Sequence, residues 1–379
     1  MRTLLVLTMA AASVVAQDSP FSKKRPTPGD DPSPGPAPAK SVKAESASKP
    51  AGTRDAVKKA LAYLISKQDR DGGWESGLAS TTGQVVVTSF CALALMASGG
   101  SPKGGTYQSQ VQKAVEFVTR HLFDPPTMPD KKWDQTNWAV TIGTVFLAEA
   151  YSHAPSAEVK AALDRGLTEI FNRMEPSGGW GHYHGGPNAL NYVELEVMST
   201  WALGAVGMLK RQKFRVPSDK VARAIQFIEE CCAPGSGGVG YSPNQGQKGM
   251  GEEGRTGGAL WLFGLHGQQG HALCARMADW FRKNHDGATN CHGSIALGCV
   301  GSALGACQLG GQDWDAFVAA VFPKLLTQQQ GDGSFAPIRG KGAGSVGGDS
   351  SAGPNYNTGL YTLVLQLDLG NLNYLGTKQ

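Results

Sequence analysis

Two kinds of apolar pattern alternate along the chain. Segments such as AVKKALAYLISKQ, which begins at Ala56, place apolar residues at helical spacing with lysines between them. This pattern predicts an amphipathic helix with one face toward solvent. Segments such as GQVVVTSFCALALMASGG, which begins at Gly83, are apolar nearly all round and predict a buried helix. The order recurs six times along the sequence, at a spacing of roughly 40 to 60 residues.

Six such hairpins need an arrangement that exposes one helix of each pair and shields the other. One ring of helices inside another meets both needs, whereas an open superhelix would expose one end of the buried row. We therefore predict an all-α fold, an α6/α6 double-layered toroid, over residues 54–375. Gly298, Gly301 and Gly305 in the fifth buried segment would let crowded backbones approach, at a cost of about 1 kcal/mol each.

A short phrase marks the junction within several hairpins. It reads KQDRDGGW from Lys67, NRMEPSGGWGH from Asn172, CCAPGSGGVGY from Cys231 and TQQQGDGSF from Thr327. Glycine adopts positive φ easily, so Gly72 and Gly73 would end the first helix and Trp74 would pack back over the hairpin. The residues predicted to be structural in these phrases are Gln68, Gly73, Trp74, Gly179, Trp180, Gln329, Gly333 and Phe335.

The phrase QDRDGGW resembles the QW motif of squalene and hopene cyclases, and QQGDGSF follows the same pattern with Phe335 in place of tryptophan. The resemblance extends to the terpenoid cyclases and the β-subunits of protein prenyltransferases, and it implies an α/α-toroid. The catalytic motifs of these families do not match. The chain has no Asp-x-Asp-Asp tetrapeptide, and Asn357 stands where the zinc-binding prenyltransferases have histidine. We therefore carry over neither chemistry.

Residues 1–16, MRTLLVLTMAAASVVA, contain one arginine and then an apolar run too short to span a bilayer. They predict a secretory signal peptide, with a membrane anchor as the alternative. Residues 17–53 are rich in Pro, Ala, Ser and Lys and predict an extended, disordered tether. We expect a secreted or periplasmic protein that is not integral to a membrane. The net charge of +4 and the lack of a basic block with aromatics do not favour nucleic acid.

Seven cysteines lie mostly within the apolar helical patterns, where cysteine usually packs as a small hydrophobe. Export would permit disulfides, and a bridge from Cys231 or Cys232 to Cys274 is left open.

Polar residues at the start of the buried helices would line the mouth of a central funnel. His182 and His184 could be two metal ligands, but nothing nearby supplies a third and fourth, so we predict no metal and no cofactor. Glu194 and Glu196 would lie about 200° apart on a helix, so only one could face the funnel. Helix-dipole and capping roles are the alternatives. The candidate ligand-binding residues are His182, His184, Tyr192, Glu194, Arg255, His292 and Tyr356.

These patterns predict an exported module that binds a small apolar ligand or a protein partner at the funnel mouth without turning it over. One alternative is an enzyme acting on a terpenoid or other apolar substrate, which needs an aromatic-lined cavity with one strong acid. A second alternative is an enzyme acting on glycans, which needs a facing carboxylate pair about 5 to 10 Å apart.

Overall fold

The computed structural model describes residues 49–77, 81–124, 136–182, 194–244, 250–340 and 347–376. The regular structure in these ranges is helical, with isolated β-bridges and no strand. The predicted signal peptide and nearly all of the predicted tether lie outside the described residues and stay predictions.

Twelve helices form the six predicted hairpins. The outer helices are α1 (Thr53–Lys67), α3 (Gln108–His121), α5 (Ala157–Asn172), α7 (Ser218–Cys231), α9 (Ala272–Asn284) and α11 (Gln312–Leu326). The inner helices are α2 (Thr81–Ala97), α4 (Thr136–His153), α6 (Glu196–Arg211), α8 (Glu253–Leu265), α10 (Ile295–Leu309) and α13 (Pro354–Val364). Each inner helix packs against the next one along the chain, and α13 packs against α2. The inner ring is therefore closed, which confirms the predicted α/α-toroid.

Glycines bring α8 and α10 unusually close together. A Cβ at Gly257 would lie 2.5 Å from the carbonyl oxygen of Gly301, and a Cβ at Gly305 would lie 2.3 Å from the Cα of Gly257. Real Cβ atoms do not approach other atoms so closely. The two backbones can meet only because both helices lack side chains at these positions, as the sequence predicts for Gly301 and Gly305.

In four of the six hairpins the junction phrase packs against the next outer helix. Gly72 has φ +99°, and a Cβ there would lie 2.3 Å from the carbonyl oxygen of Lys113 on α3. Gly73 does not have the positive φ that we expected. Its missing side chain instead leaves room for the ring of Phe117, 2.8 Å from where its Cβ would be. Trp74 packs back over its hairpin as predicted, since its Nε1 donates to the carbonyl of Leu64 at 2.7 Å.

Hydrogen bonds from these phrases also tie the two rings together. In four hairpins the backbone N–H at the aromatic position donates to a hydroxyl of the inner helix, over 2.9 to 3.0 Å. The accepting residues are Thr88, Ser199, Thr256 and Thr358. The glutamine that opens the phrase reaches the next outer helix. Gln68 Nε2 donates to Gln110 O at 2.9 Å, and Gln329 Nε2 donates to Ala56 O at 2.8 Å. The second bond joins the sixth hairpin to the first.

One helix lies outside the six hairpins. The segment 336–357 contains a short helix, α12 (Gly347–Ala352), which the sequence pattern does not predict. Its Asp349 accepts the backbone N–H of Ala296 at 3.1 Å and so caps α10. Helix formation there gives a buried carboxylate a fixed position at the positive end of an inner helix.

The C-terminal segment 371–376 crosses the end of the toroid where the inner helices finish. Asn371 Nδ2 donates to Ala97 O on α2 at 2.8 Å, and the backbone N–H of Asn373 donates to Glu149 on α4 at 2.5 Å. Tyr374 O accepts from Trp261 Nε1 on α8 at 2.9 Å. This end of the toroid is thus covered by the chain itself, and the opposite end, where the inner helices begin, is called the mouth below.

All seven cysteines are free thiols, and every one except Cys307 is buried. The bridge to Cys274 that the sequence left open is not formed, and the thiols pack as small apolar groups. Among the residues that the structure describes, no helix is long and apolar enough to cross a membrane.

Candidate functional site

Aromatic rings occupy the interior of the inner ring below the mouth. Phe90 on α2 and Trp201 on α6 lie with ring centroids 6.0 Å apart, although α4 separates these helices in the ring. The ring centroid of Trp261 lies 5.5 Å from that of Trp201, and the ring centroid of Tyr356 lies 5.9 Å from that of Phe90. All four side chains are buried. At this level, space that a funnel would leave for a ligand is filled by the protein's own aromatic side chains.

Five residues gather where α6, α8 and α10 begin, and they are called the mouth cluster: Glu196, Tyr241, Glu252, Arg255 and His292. Arg255 Nη2 lies 2.7 Å from Glu252 Oε2, and its guanidinium lies 5.1 Å from the centroid of the Tyr241 ring. The backbone N–H of His292 donates to the same Glu252 oxygen at 2.7 Å. The rings of Tyr241 and His292 meet edge to face at 5.6 Å.

The fourth junction phrase positions this cluster. Val239 replaces the aromatic residue in that phrase, and its N–H donates to Thr256 Oγ1 on α8 at 3.0 Å. Its carbonyl accepts from Glu252 N at 3.1 Å, and the Tyr241 carbonyl accepts from Glu196 N at 2.9 Å. The phrase therefore bridges the starts of α6 and α8. The same junction phrase that connects the two rings also positions the mouth cluster.

Glu196 is fully buried at the start of α6. Its Oε1 accepts from Thr200 Oγ1 at 2.6 Å, and its Oε2 has no hydrogen-bond partner among the residues that the structure describes. Burial raises the pKa of Glu196 to about 8, although Thr200 and Arg255 act in the opposite direction. The carboxyl group is therefore protonated at neutral pH.

Glu253 occupies the equivalent place in the next hairpin. It lies three residues before the hydroxyl that accepts a hydrogen bond from the junction phrase. Glu196 precedes Ser199 in the same way that Glu253 precedes Thr256. Burial raises the pKa of Glu253 to about 7, and the neighbouring Glu252 adds to this effect. Glu196 is fully buried and Glu253 is half-buried, so raised pKa values in consecutive hairpins cost stability, and such perturbed groups cluster at functional sites.

The predicted candidates fall into separate groups around the mouth. Arg255 and His292 meet in the mouth cluster. His182 lies near the start of α4, where its Nδ1 accepts from Trp138 Nε1 at 2.8 Å. Burial lowers the pKa of His182 to about 4, so the ring is neutral at physiological pH. His184 and Tyr192 lie outside the described residues.

Tyr356 belongs to a third group, between α10 and α13. Its hydroxyl lies 3.1 Å from Ser294 Oγ, which in turn donates to Asp349 Oδ1 at 2.5 Å. Burial raises the pKa values of both Asp349 and Tyr356. Because Asp349 caps α10, this group has the capping role that the sequence left as an alternative.

Glu194 does not lie on α6, which begins at Glu196. Leu195 forms an isolated β-bridge with Trp180, so the backbone before the helix is extended. The prediction that Glu194 lies on this helix, about 200° from Glu196, is therefore wrong. The deeply buried carboxyl group is Glu196. Sequence reasoning also missed Tyr241 and Glu252. For Glu196 and Glu253 a signal was present, because aligning the junction phrases places these two residues at matching positions.

The part of the chain that the structure describes contains no complete set of metal ligands. No three His, Cys, Asp or Glu residues there are grouped so as to hold an ion.

Comparisons with known proteins agree with the fold. No family model matches the chain. The chain is 26% identical to drimenyl diphosphate synthase of Streptomyces showdoensis over 195 residues, which is 51% of this chain and 33% of that protein. It thus spans about a third of the length of that curated relative.

Solved structures share the toroid at low sequence identity. An α-1,6-mannanase of glycoside hydrolase family 76 from a Salegentibacter species, bound to α-1,6-mannotriose, superposes with a TM-score of 0.58 at 10% identity, covering 84% of this chain and 99% of that one. Cellobiose 2-epimerase from Bacillus thermoamylovorans gives a TM-score of 0.56 at 14% identity, covering 82% and 97%. At these identities the likeness shows the fold alone.

Proposed function

We propose that the mouth cluster binds a polar, hydroxyl-rich ligand of the glycan class. The observation that carries this proposal is that Tyr241, Glu252 and Arg255 of the fourth hairpin meet His292 of the fifth at one place at the mouth. Ligand-binding sites commonly combine a few convergent polar groups with an aromatic ring. The binding role predicted from the sequence is kept, but the ligand is polar rather than apolar.

The accessible part of the cluster suits hydroxyl groups. His292 is exposed, Tyr241 is partly buried, and the Glu252 side chain is 15% exposed. A carboxylate accepts hydrogen bonds from sugar hydroxyls, and imidazole can donate or accept one. The Tyr241 ring offers an apolar face with a polar tip. Arg255, 6% exposed beneath them, holds Glu252 and Tyr241 in position.

An apolar ligand is less well accommodated. Phe90 and Trp201 contact each other inside the inner ring, where a terpenoid substrate would need space. The carboxyl groups of Glu196 and Glu253 have raised pKa values, so they are weak acids and poorly suited to protonating a carbon–carbon double bond. Both features differ from the aromatic-lined cavity with one strong acid that the terpenoid alternative requires.

The terpenoid alternative still has one observation in its favour, the 26% identity to drimenyl diphosphate synthase. Incubation with polyprenyl diphosphates tests it directly. A product that depends on the enzyme would support this second candidate.

The binding proposal is tested by calorimetric titration of the purified protein with α-1,6-mannotriose, cellobiose and a wider oligosaccharide panel. We expect at least one oligosaccharide to bind, and Tyr241→Ala and His292→Ala each to weaken binding about tenfold, or about 1.4 kcal/mol. His285→Ala, which changes a histidine outside the mouth cluster, is the matched control and should bind as the wild type does. No binding by the wild type at millimolar ligand, or equal binding by folded Tyr241→Ala and His292→Ala, would overturn the proposal.

A further inference from the structure

We propose that Cys291 and Cys299 form a redox-active dithiol beside the mouth cluster, which a small-molecule disulfide oxidises to an intramolecular disulfide bond. The existence of this modification site is independent of the proposed function. Only its effect on ligand affinity rests on the proposed function, because His292 of the mouth cluster follows Cys291 directly in the chain.

The two cysteines are eight residues apart in the sequence, and in one continuous helix that spacing would separate them by about 12 Å. The chain instead turns between them. A 3₁₀ helix ends at Asn290, Cys291 has extended backbone angles (φ −61°, ψ 147°), and α10 begins only at Ile295. The side chain of Cys291 is thereby folded back against the first turns of α10.

Gly298 gives Cys291 the room to approach α10. A Cβ at Gly298 would lie 2.3 Å from Cys291 Cβ and 2.4 Å from Cys291 Sγ, so any larger residue would displace the thiol. Gly298 directly precedes Cys299. The absence of a side chain at this position therefore places the first thiol against the backbone that carries the second.

Both thiols donate to one oxygen atom. Cys291 Sγ lies 3.4 Å from Ala288 O, and Cys299 Sγ lies 3.2 Å from the same oxygen. The two sulfurs can therefore be no farther apart than the sum of these distances, 6.6 Å. From that separation a rearrangement of the turn at 291–294 closes an S–S bond of about 2.05 Å.

The oxidation is a thiol–disulfide exchange with oxidised glutathione as the oxidant. The Cys291 thiolate attacks one glutathione sulfur, the glutathione S–S bond breaks, and the first glutathione leaves as a thiolate. The Cys299 thiolate then attacks the Cys291 sulfur of the mixed disulfide and expels the second glutathione. The two protons lost by the cysteines go to the glutathione thiolates, and the two electrons that the cysteines lose reduce glutathione disulfide to two thiols.

Burial decides when this exchange takes place. Both side chains are fully buried, and burial raises the pKa of both thiols, so the folded protein presents little thiolate. The bridge therefore forms fastest while the segment is open, as it is during refolding.

Peptide mass mapping tests the bridge after refolding in a mixture of reduced and oxidised glutathione. Trypsin leaves Cys291, Cys299 and Cys307 on one peptide, residues 284–324, so the measurement uses the Cys307→Ser protein. We expect this peptide to be lighter than the reduced peptide by the mass of two hydrogen atoms, and to resist alkylation in denaturant until a reductant is added. The peptide that carries Cys91, an equally buried cysteine on α2, is the internal control and should be alkylated without reductant.

Ligand titration tests the effect on the mouth cluster. Closing the bond moves Cys291, and His292 moves with it, although its N–H donates to Glu252 and its ring meets that of Tyr241. We expect oxidation to weaken the binding of the panel oligosaccharides by at least about threefold, with recovery in reductant. Cys299→Ser, whose hydroxyl keeps a donor at that position, is the matched control and should bind equally with and without oxidant.

The outcomes separate the two proposals. Free thiols at 291 and 299 after oxidative refolding, or mixed disulfides with glutathione alone, would overturn the modification site. A bridge that leaves affinity unchanged would overturn its link to the mouth cluster. Absence of ligand binding by the reduced protein would overturn the proposed function and leave the peptide-mass result unaffected.

Discussion

Glu196 gives the stability of the protein a pH dependence that can be measured. Its pKa is raised from an ordinary glutamate value to about 8 in the folded state, so the folded protein holds this proton more tightly than the unfolded chain does. The contribution to stability is complete below the unfolded pKa, near 4.3, and is lost progressively as pH rises toward 8. Glu253, with a pKa of about 7, acts in the same direction.

We therefore expect Glu196→Gln to be more stable than the wild type at pH 8 by about 2 kcal/mol or more, and to gain little at pH 5. Urea unfolding at several pH values measures this difference. The exposed Glu158→Gln should follow the wild-type curve. A wild-type advantage at pH 8, or a difference that does not change with pH, would contradict the burial of an ionisable Glu196.

Substitution of Gly72 should directly damage the first junction phrase. Gly72 combines φ +99° with a backbone neighbour, the carbonyl oxygen of Lys113, 2.3 Å from where a Cβ would be. We expect Gly72→Ala to lower the free energy of unfolding by at least about 2 kcal/mol, from the left-handed backbone and the clash together. Thermal or urea unfolding measures this loss.

The matched control is Gly331→Ala, in the phrase of the sixth hairpin, where nothing lies within 4 Å of the added Cβ and φ is not positive. This variant should be close to the wild type. Equal costs for the two substitutions would mean that Gly72 is not held against α3 as described.

At the scale of the elements, the hairpin pattern could be predicted because it is local. Helical periodicity and the switch from amphipathic to apolar segments are written in neighbouring residues, and all six pairs formed. The helix α12 was missed because GGDSSA has no apolar periodicity, and its position depends on Asp349 capping the distant α10. Glu194 was placed on a helix because the β-bridge between Leu195 and Trp180 cannot be seen in the sequence around it.

The glutamine of the sixth junction phrase should matter as much as that of the first. Gln329 Nε2 donates to Ala56 O and Gly333 O, just as Gln68 Nε2 donates to Gln110 O and Gly72 O. We expect Gln329→Ala and Gln68→Ala each to cost about 1 to 2 kcal/mol of unfolding free energy. Hydrogen exchange should rise in α1 for Gln329→Ala and in α3 for Gln68→Ala.

This comparison tests whether the ring is closed. In an open superhelix the sixth hairpin would have no contact with the first, so Gln329→Ala would be nearly neutral while Gln68→Ala would not. That pattern, with no change of exchange in α1, would be incompatible with the structure.

At the scale of the whole molecule, ring closure decides where function can lie. The C-terminal segment covers one end, and Phe90 and Trp201 fill space inside the inner ring. The mouth is left as the place where Tyr241, Glu252 and Arg255 of the fourth hairpin meet His292 of the fifth. Sequence reasoning found Arg255 and His292 because both stand at helix starts, but it could not predict their partners, which depend on how neighbouring hairpins are set in the closed ring.

The central claim is that the mouth cluster is the ligand site, and a crystal structure with the tightest-binding oligosaccharide of the panel tests it most directly. We predict a sugar ring against Tyr241, with hydroxyl groups within hydrogen-bond distance of Glu252 and His292. Ligand density on the outer helices, or among Phe90, Trp201 and Trp261 inside the inner ring, with the mouth cluster empty, would contradict the account.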